Sequence, residues 1–135
     1  TEDAKYRDWA RKTLDTFAGV APQYGLFAAT YGLAATLFAQ HPALVVITGK
    51  DEDRQAHRLE AAANGAFRLG KAVLRVTPEC SMEYLPTALR QTLPHLPKDT
   101  AVALVCSGNT CLPPTSDPEE LRRMVADGIA GSAAV

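Results

Sequence analysis

Apolar positions change period twice along this chain, and each change marks a new kind of element. Over residues 3–18, Tyr6, Trp9, Ala10, Leu14 and Phe17, with Thr13, recur at three- and four-residue steps. Lys5, Arg7, Asp8, Arg11, Lys12 and Asp15 occupy the other side. This spacing predicts an amphipathic helix, ended by Gly19 and by the break that Pro22 enforces. Residues 24–39 place Tyr24, Leu26, Phe27, Tyr31, Leu33, Leu37 and Phe38 around several sides of a second predicted helix. Ala28, Ala29, Gly32, Ala34 and Ala35 between them permit close helix approach. The pair reads as an antiparallel helical hairpin whose second helix needs burial on nearly every side. One partner helix cannot provide that, so a third surface is expected.

Beyond His41-Pro42 the period shortens. Residues 43–48 form a β-branched run that predicts a buried strand. A turn over residues 49–53 leads to a helix over 54–69, with Ala56, Leu59, Ala63, Ala66 and Phe67 as its core face. Residues 71–76 predict a second strand. Thr77-Pro78-Glu79 resembles a helix start, and a broken helical region follows to Leu93, interrupted at Pro86. Residues 95–98 are loop, residues 100–106 a third strand, and Cys111-Leu112 a short fourth. Asp117-Pro118-Glu119-Glu120 is a capping box, with Asp117 as cap and the acid three positions on reaching back. It launches a last helix that ends near Gly128, leaving residues 131–135 as a frayed tail. No internal repeat is present.

Strands alternating with helices give an α/β fold class: a small parallel three-stranded sheet with right-handed crossovers. Pro113 and Pro114 remove two ladder donors after the fourth strand, which places it as a short antiparallel edge. The expected strand order is 2-1-3-4. The domain division is 1–42, the helical hairpin, and 43–135, a small α/β domain.

Composition narrows the function classes. A chain of 135 residues with 47% apolar content holds one ordinary core and an appendage. A net charge of −1 gives no general attraction to nucleic acid or to an anionic membrane, so neither is an expected partner. Residues 16–49 contain no Asp, Glu, Lys or Arg. The apolar part of that stretch is nevertheless shorter than the ~20 residues that span a bilayer. Three cysteines lack the even count of a secreted disulfide scaffold, which points to a reducing, cytoplasmic location. The opening Thr1-Glu2-Asp3 leads directly into a helix pattern, as in a piece cut from a longer chain.

The densest chemical signal is Cys106-Ser107-Gly108-Asn109-Thr110-Cys111, after the apolar run of residues 101–105. Gly108 and Asn109 fit the tip of a tight hairpin. Cys106 and Cys111 would then face each other across adjacent strands, at a non-hydrogen-bonded position, with Cα atoms ~4.4–6.8 Å apart if bridged. Three readings stand for them: inert apolar strand residues, a reversible or structural disulfide, and metal ligands. The spacing is not the C-x-x-C of a thioredoxin site, and no Lys, Arg or His in the turn lowers a thiol pKa. Zinc usually takes four ligands, and Cys80, His41, His57 and His95 are scattered along the chain. No metal or cofactor is expected.

The same stretch, with its strand, C-x4-C, Pro113, Thr115 and Asp117-Pro118-Glu119-Glu120-Leu121, resembles the C-terminal end of the thioredoxin-domain-containing proteins related to the spermatogenesis-associated thioredoxin-like family. The resemblance is strongest over residues 100–123 and agrees with the order of elements from about residue 4. It implies a parent with a thioredoxin-like domain, a six-hairpin α/α barrel and a small α/β tail. Residues 1–42 would then be the last barrel helices, and their partner the rest of the parent chain.

Other sites read plainly. Gly49-Lys50 lies at the first strand-to-helix turn, where a doubly wound fold binds nucleotides, but neither phosphate-loop pattern is present. Asp51, Glu52 and Asp53 suit helix capping and repel an anion; a magnesium site like that of response-regulator receivers is the remaining alternative. Three functions follow. The first is a non-catalytic structural C-terminal module of a larger protein. The second is a redox-responsive module using Cys106 and Cys111. The third is a flavodoxin-like small-ligand binder or enzyme, with a cleft fed by the turns after Thr48, Val76 and Cys106. Surplus apolar surface on residues 24–39 also predicts self-association of the isolated chain.

Overall fold

Asp3 opens the first helix: its carboxylate accepts the Lys5 N–H at 3.0 Å, and α1 runs over Ala4–Ala18. In the computed structural model, which describes residues 3–40, 42–108 and 110–128, the chain divides into two compact units, Thr1–His41 and Pro42–Val135.

In the first unit, α1 is followed by a 3-10 segment, Ala21–Ala28, and by α2, Ala29–Ala39. The helix predicted from residue 24 therefore begins five residues later. Gly25 causes the delay: its φ of 51° and ψ of −124° break the helical path in a region that side chains disfavour. The hairpin forms as expected. Tyr31 donates its hydroxyl to the Leu14 carbonyl at 3.1 Å, and the Arg7 guanidinium lies 4.7 Å from the centre of the Phe38 ring. Burial of residues 24–39 on nearly every side is not found. No residue of α2 is fully buried, and Leu26 and Phe27 are 89% and 95% exposed.

The second unit holds a four-stranded sheet in the order β2-β1-β3-β4, as predicted: β1 Ala43–Thr48, β2 Lys71–Val76, β3 Ala103–Ser107 and β4 Thr110–Cys111. The α/β class holds, but the three main strands are not all parallel. β1 pairs with β2 in parallel and with β3 antiparallel, Leu44 opposite Cys106 and Ile47 opposite Ala103. The reason lies in the connection from β2. A parallel return needs a crossover element that carries the chain along the sheet. Here Pro78, Pro86, Pro94 and Pro97 divide the connection into a turn, a 3-10 segment at Met82–Tyr84, a short α4 at Thr87–Thr92 and a second 3-10 segment at Leu93–His95. None spans the sheet, so the chain re-enters at the end it left. Thr77-Pro78 does not start a helix: the Cys80 N–H closes a turn on the Thr77 carbonyl at 3.0 Å. Pro86 holds Leu85 extended and delays the helix to Thr87.

Alternation along the strands builds two apolar layers. Val45, Ile47, Ala103 and Val105 pack with α3, Arg54–Gly65, and α5, Pro118–Asp127, through Ala56, Leu59, Leu121 and Val125. Val46, Val76, Leu104 and Cys106 face the other way, against Leu85 and Leu89 of the broken connection. α3 stops at Gly65, short of the predicted residue 69, and Phe67 is 88% exposed. Lys71 takes over the helix end: its Nζ donates to the carbonyls of Ala63, Asn64 and Ala66. Asp117 caps α5 through the Glu119 N–H at 2.9 Å. The return arm of the capping box is relayed: the Asp117 N–H donates to the buried Thr115 hydroxyl, which donates to Glu120. The tail at residues 131–135 lies outside the described residues.

Candidate functional site

Two places in the α/β unit bring chemistry together, one at each end of the sheet. At the first, Ser107 and Thr110 close a two-residue turn, and Gly108 takes a φ of 58° that suits a hairpin of this length. Asn109, the other tip residue, lies outside the described residues. Cys106 and Cys111 are ladder partners, and the Leu112 N–H donates to the Val105 carbonyl at 2.9 Å one rung away. The cysteines thus occupy the non-hydrogen-bonded rung, where strands approach most closely. Their Sγ atoms are bonded at 2.01 Å, with a Cα separation of 4.0 Å. That separation is shorter than the expected window of ~4.4–6.8 Å. Cys106 is 6% exposed within the apolar layer, while Cys111 is half-buried. Cys111 is thus the more exposed residue of the pair.

The opposite end gathers the carboxyl ends of β1 and β2 and the entry to β3. The Thr48 N–H donates to the Val102 carbonyl at 2.9 Å, and the Gly49 N–H to the Val76 carbonyl at 3.3 Å. Asp53 accepts the Gln55 N–H at 2.8 Å and the Ala56 N–H at 3.4 Å, which is the capping role expected of it. Asp51 and Glu52 are exposed on the turn. Arg75 braces the loop by donating to the Lys50 carbonyl while pairing with Glu60 at 3.3 Å. Gly49 has a φ of 140°, and a Cβ there would lie 3.0 Å from the Ala56 Cβ and 3.1 Å from the Ala101 Cβ. The start of α3 and the entry to β3 therefore close tightly over this glycine.

Beside this loop lies a cleft of about 710 Å³. Thr48, Gly49, Lys50 and Asp53 line it from the first loop; Val76, Thr77, Pro78, Cys80 and Met82 line it from the second; Leu93, Pro94 and residues 96–101 complete the lining. The turns after Thr48 and Val76 line the cleft, but the turn after Cys106 does not. Antiparallel β3 carries it to the other end of the sheet. From the sequence residues 95–98 read only as a loop; Pro94 and Pro97, both in the cleft lining, are the signal that this segment is stiff.

The remaining candidates stay apart. His57 is exposed, with its Nδ1 4.0 Å from Glu60, and His95 is exposed at the end of a 3-10 turn. His41 lies outside the described residues. Among the described residues no three His, Cys, Asp or Glu side chains cluster as metal ligands, and no helix is long and apolar enough to cross a membrane. No family model matches the chain, and no curated protein or solved structure matches it. None of these comparisons identifies a thioredoxin-domain-containing family.

Proposed function

We propose that this chain is a non-catalytic structural C-terminal module of a larger thioredoxin-domain-containing protein, its helical hairpin packing on helices of the same parent chain. The observation that carries this reading is the apolar surface of the hairpin. Trp9, Phe17, Tyr24, Leu26 and Phe27 are all exposed, the last four within residues 16–49, which carry no Asp, Glu, Lys or Arg. Leaving such side chains in water forgoes about 1.5–3 kcal/mol each, and a contiguous patch of this kind finds a partner. In the parent, barrel helices would cover it. In the isolated chain a second copy takes their place. Sedimentation equilibrium at micromolar concentration is expected to show reversible self-association, abolished by the double substitution Leu26→Asp/Phe27→Asp. A monomer at every concentration would overturn the reading.

The Cys106–Cys111 bond favours a second reading, a redox-responsive module. Forming it removes two electrons and two protons from the thiols. A small disulfide would accept them by exchange, and a small dithiol would reverse the reaction through attack on Cys111. A closed loop this short contributes about 2 kcal/mol in the chain-entropy account. Reduction would loosen β4 but leave α5 attached, because Thr115 and Ala103 exchange backbone hydrogen bonds at 2.8 and 2.9 Å. In the reducing compartment expected from cysteine usage, the bond would be transient. Thiol titration of the unfolded chain should give one free thiol, Cys80, without reductant and three with it. Three without reductant, in chain purified with thiols blocked at lysis, would eliminate this reading.

A further inference from the structure

We infer that the cleft at the carboxyl ends of β1 and β2 binds an uncharged aromatic ring compound with a hydrogen-bond donor and an acceptor on its edge, an activity separate from the structural role. Position is the first argument. Loops that leave adjacent parallel strands diverge and open a crevice, the usual ligand position in open α/β sheets. The segment before Ala101, stiffened by Pro94 and Pro97, completes the lining. The cleft's volume, about 710 Å³, falls within the ~300–1,000 Å³ that small-molecule sites occupy.

The lining disfavours a net charge on the ligand. Lys50 and Lys98 are matched in number by Asp53 and Asp99, and Asp51 and Glu52 adjoin them on the first turn. An anion entering the cleft meets acids, and a cation meets two ammonium groups. A neutral ligand avoids both, and it leaves no charge to be stripped of water. The apolar part of the lining supplies the attraction. Val76 belongs to the core layer that holds Val46 and Leu104, and Met82, Leu93 and Leu96 pack against that layer. A thioether such as that of Met82 makes favourable contacts with aromatic rings. Pro78, Pro94 and Pro97 have no N–H, so an apolar ring face resting on them leaves no backbone donor unpaired. The polar groups suit a neutral edge. The Thr48 hydroxyl is committed to the Val102 carbonyl at 3.3 Å, and Asp53 to the first turn of α3. Thr77 and Thr100 bring hydroxyls to the lining, and a hydroxyl both donates and accepts. An aromatic amide matches this set of partners.

Cys80 supplies a native reporter, since it is the one unbonded cysteine and it lines the cleft. The probe is 2-naphthamide on the intact chain, compared with 2-naphthoate and 2-naphthylmethylammonium, which keep its ring but carry a charge. The neutral probe is expected to slow iodoacetamide alkylation of Cys80 saturably, read by mass spectrometry on the peptide that holds it. It should bind about tenfold more tightly than either ion. It should also shift the backbone amide resonances of Thr48, Gly49, Thr77 and Thr100. Leu96→Ser should weaken it about tenfold, with resonances away from the cleft unchanged. Lys50→Gln/Lys98→Gln should tighten the ammonium probe about tenfold, because only acids then remain in the lining. Tighter binding of either ion to the parent chain, equal binding of all three probes, or loss of the neutral probe in the lysine variant would overturn the uncharged class. Absence of protection, or shifts confined to residues 17–31 of the hairpin, would overturn the site. Because the hairpin and the cleft are read by different resonances, failure here is distinct from failure of the self-association test.

Discussion

Gly49 shows how much a single residue position decides in this molecule. It sits in a backbone conformation that L side chains rarely adopt, and two buried alanines meet the place where a Cβ would be. Gly49→Ala is therefore expected to cost about 1–3 kcal/mol of stability in urea unfolding. It should also alter alkylation of Cys80, because the loop that walls the cleft must shift to relieve the clash. An unchanged midpoint would mean that the loop is softer than its packing implies. Sequence reading found the helix cap at Asp53 from residue type and position. It could not find the need for glycine at residue 49, since Ala56 and Ala101 become neighbours only when the sheet has formed.

At the scale of elements, α1 illustrates local determination with an acid-sensitive surface. The Lys5 ammonium holds the Asp3 carboxyl below the usual carboxylate range, and Lys12 and then Arg11 do the same for Asp8. A depressed folded-state pKa adds stability at pH above the unfolded value, lost as pH falls through the folded value. Helicity from α1 should thus be constant from neutral pH down to about pH 5 and decline below about pH 4, the ordinary carboxylate range. Both groups are exposed, so the decline should be small and should fade further in high salt. Circular dichroism of Asp8→Asn against the parent chain checks it: the variant should begin with lower helicity and show a shallower acid decline. An identical acid profile would remove these pairs from the account. β1 was legible to the residue because a short β-branched run between a proline and a glycine turn reads as a strand, and β2 because Gly70 and Thr77-Pro78 bound a run too short for a helix. The helix predicted over residues 24–39 was misplaced because Gly25 turns the backbone where periodicity alone sees only a tolerated glycine.

For the whole molecule, the two units differ in how they could stand alone. The α/β unit has apolar layers on both sides of its sheet, with Ile47, Leu59, Leu121 and Val125 fully buried. In the hairpin unit only Ala21 is fully buried among the described residues. A fragment of residues 42–135 is expected to unfold cooperatively in urea, followed by far-UV circular dichroism. A fragment of residues 1–41 should be largely unstructured at concentrations where it does not associate, since isolated helices of this length are marginal in water. A 42–135 fragment lacking a cooperative transition would mean that the sheet depends on the hairpin.

What the amino-acid order determined by itself is the local content: where strands run, which residues cap α3 and α5, and that a tight turn at Gly108 brings two cysteines to one rung. Those features depend on side chains within a few positions of one another. Tertiary structure alone decided that β3 runs antiparallel to β1, because direction depends on whether any piece of the β2–β3 connection can span the sheet. The same reversal separated the cysteine pair from the cleft and brought Leu93, Pro94 and residues 96–101 into its lining. Strand direction is a property of the whole connection, and no periodicity within a strand encodes it.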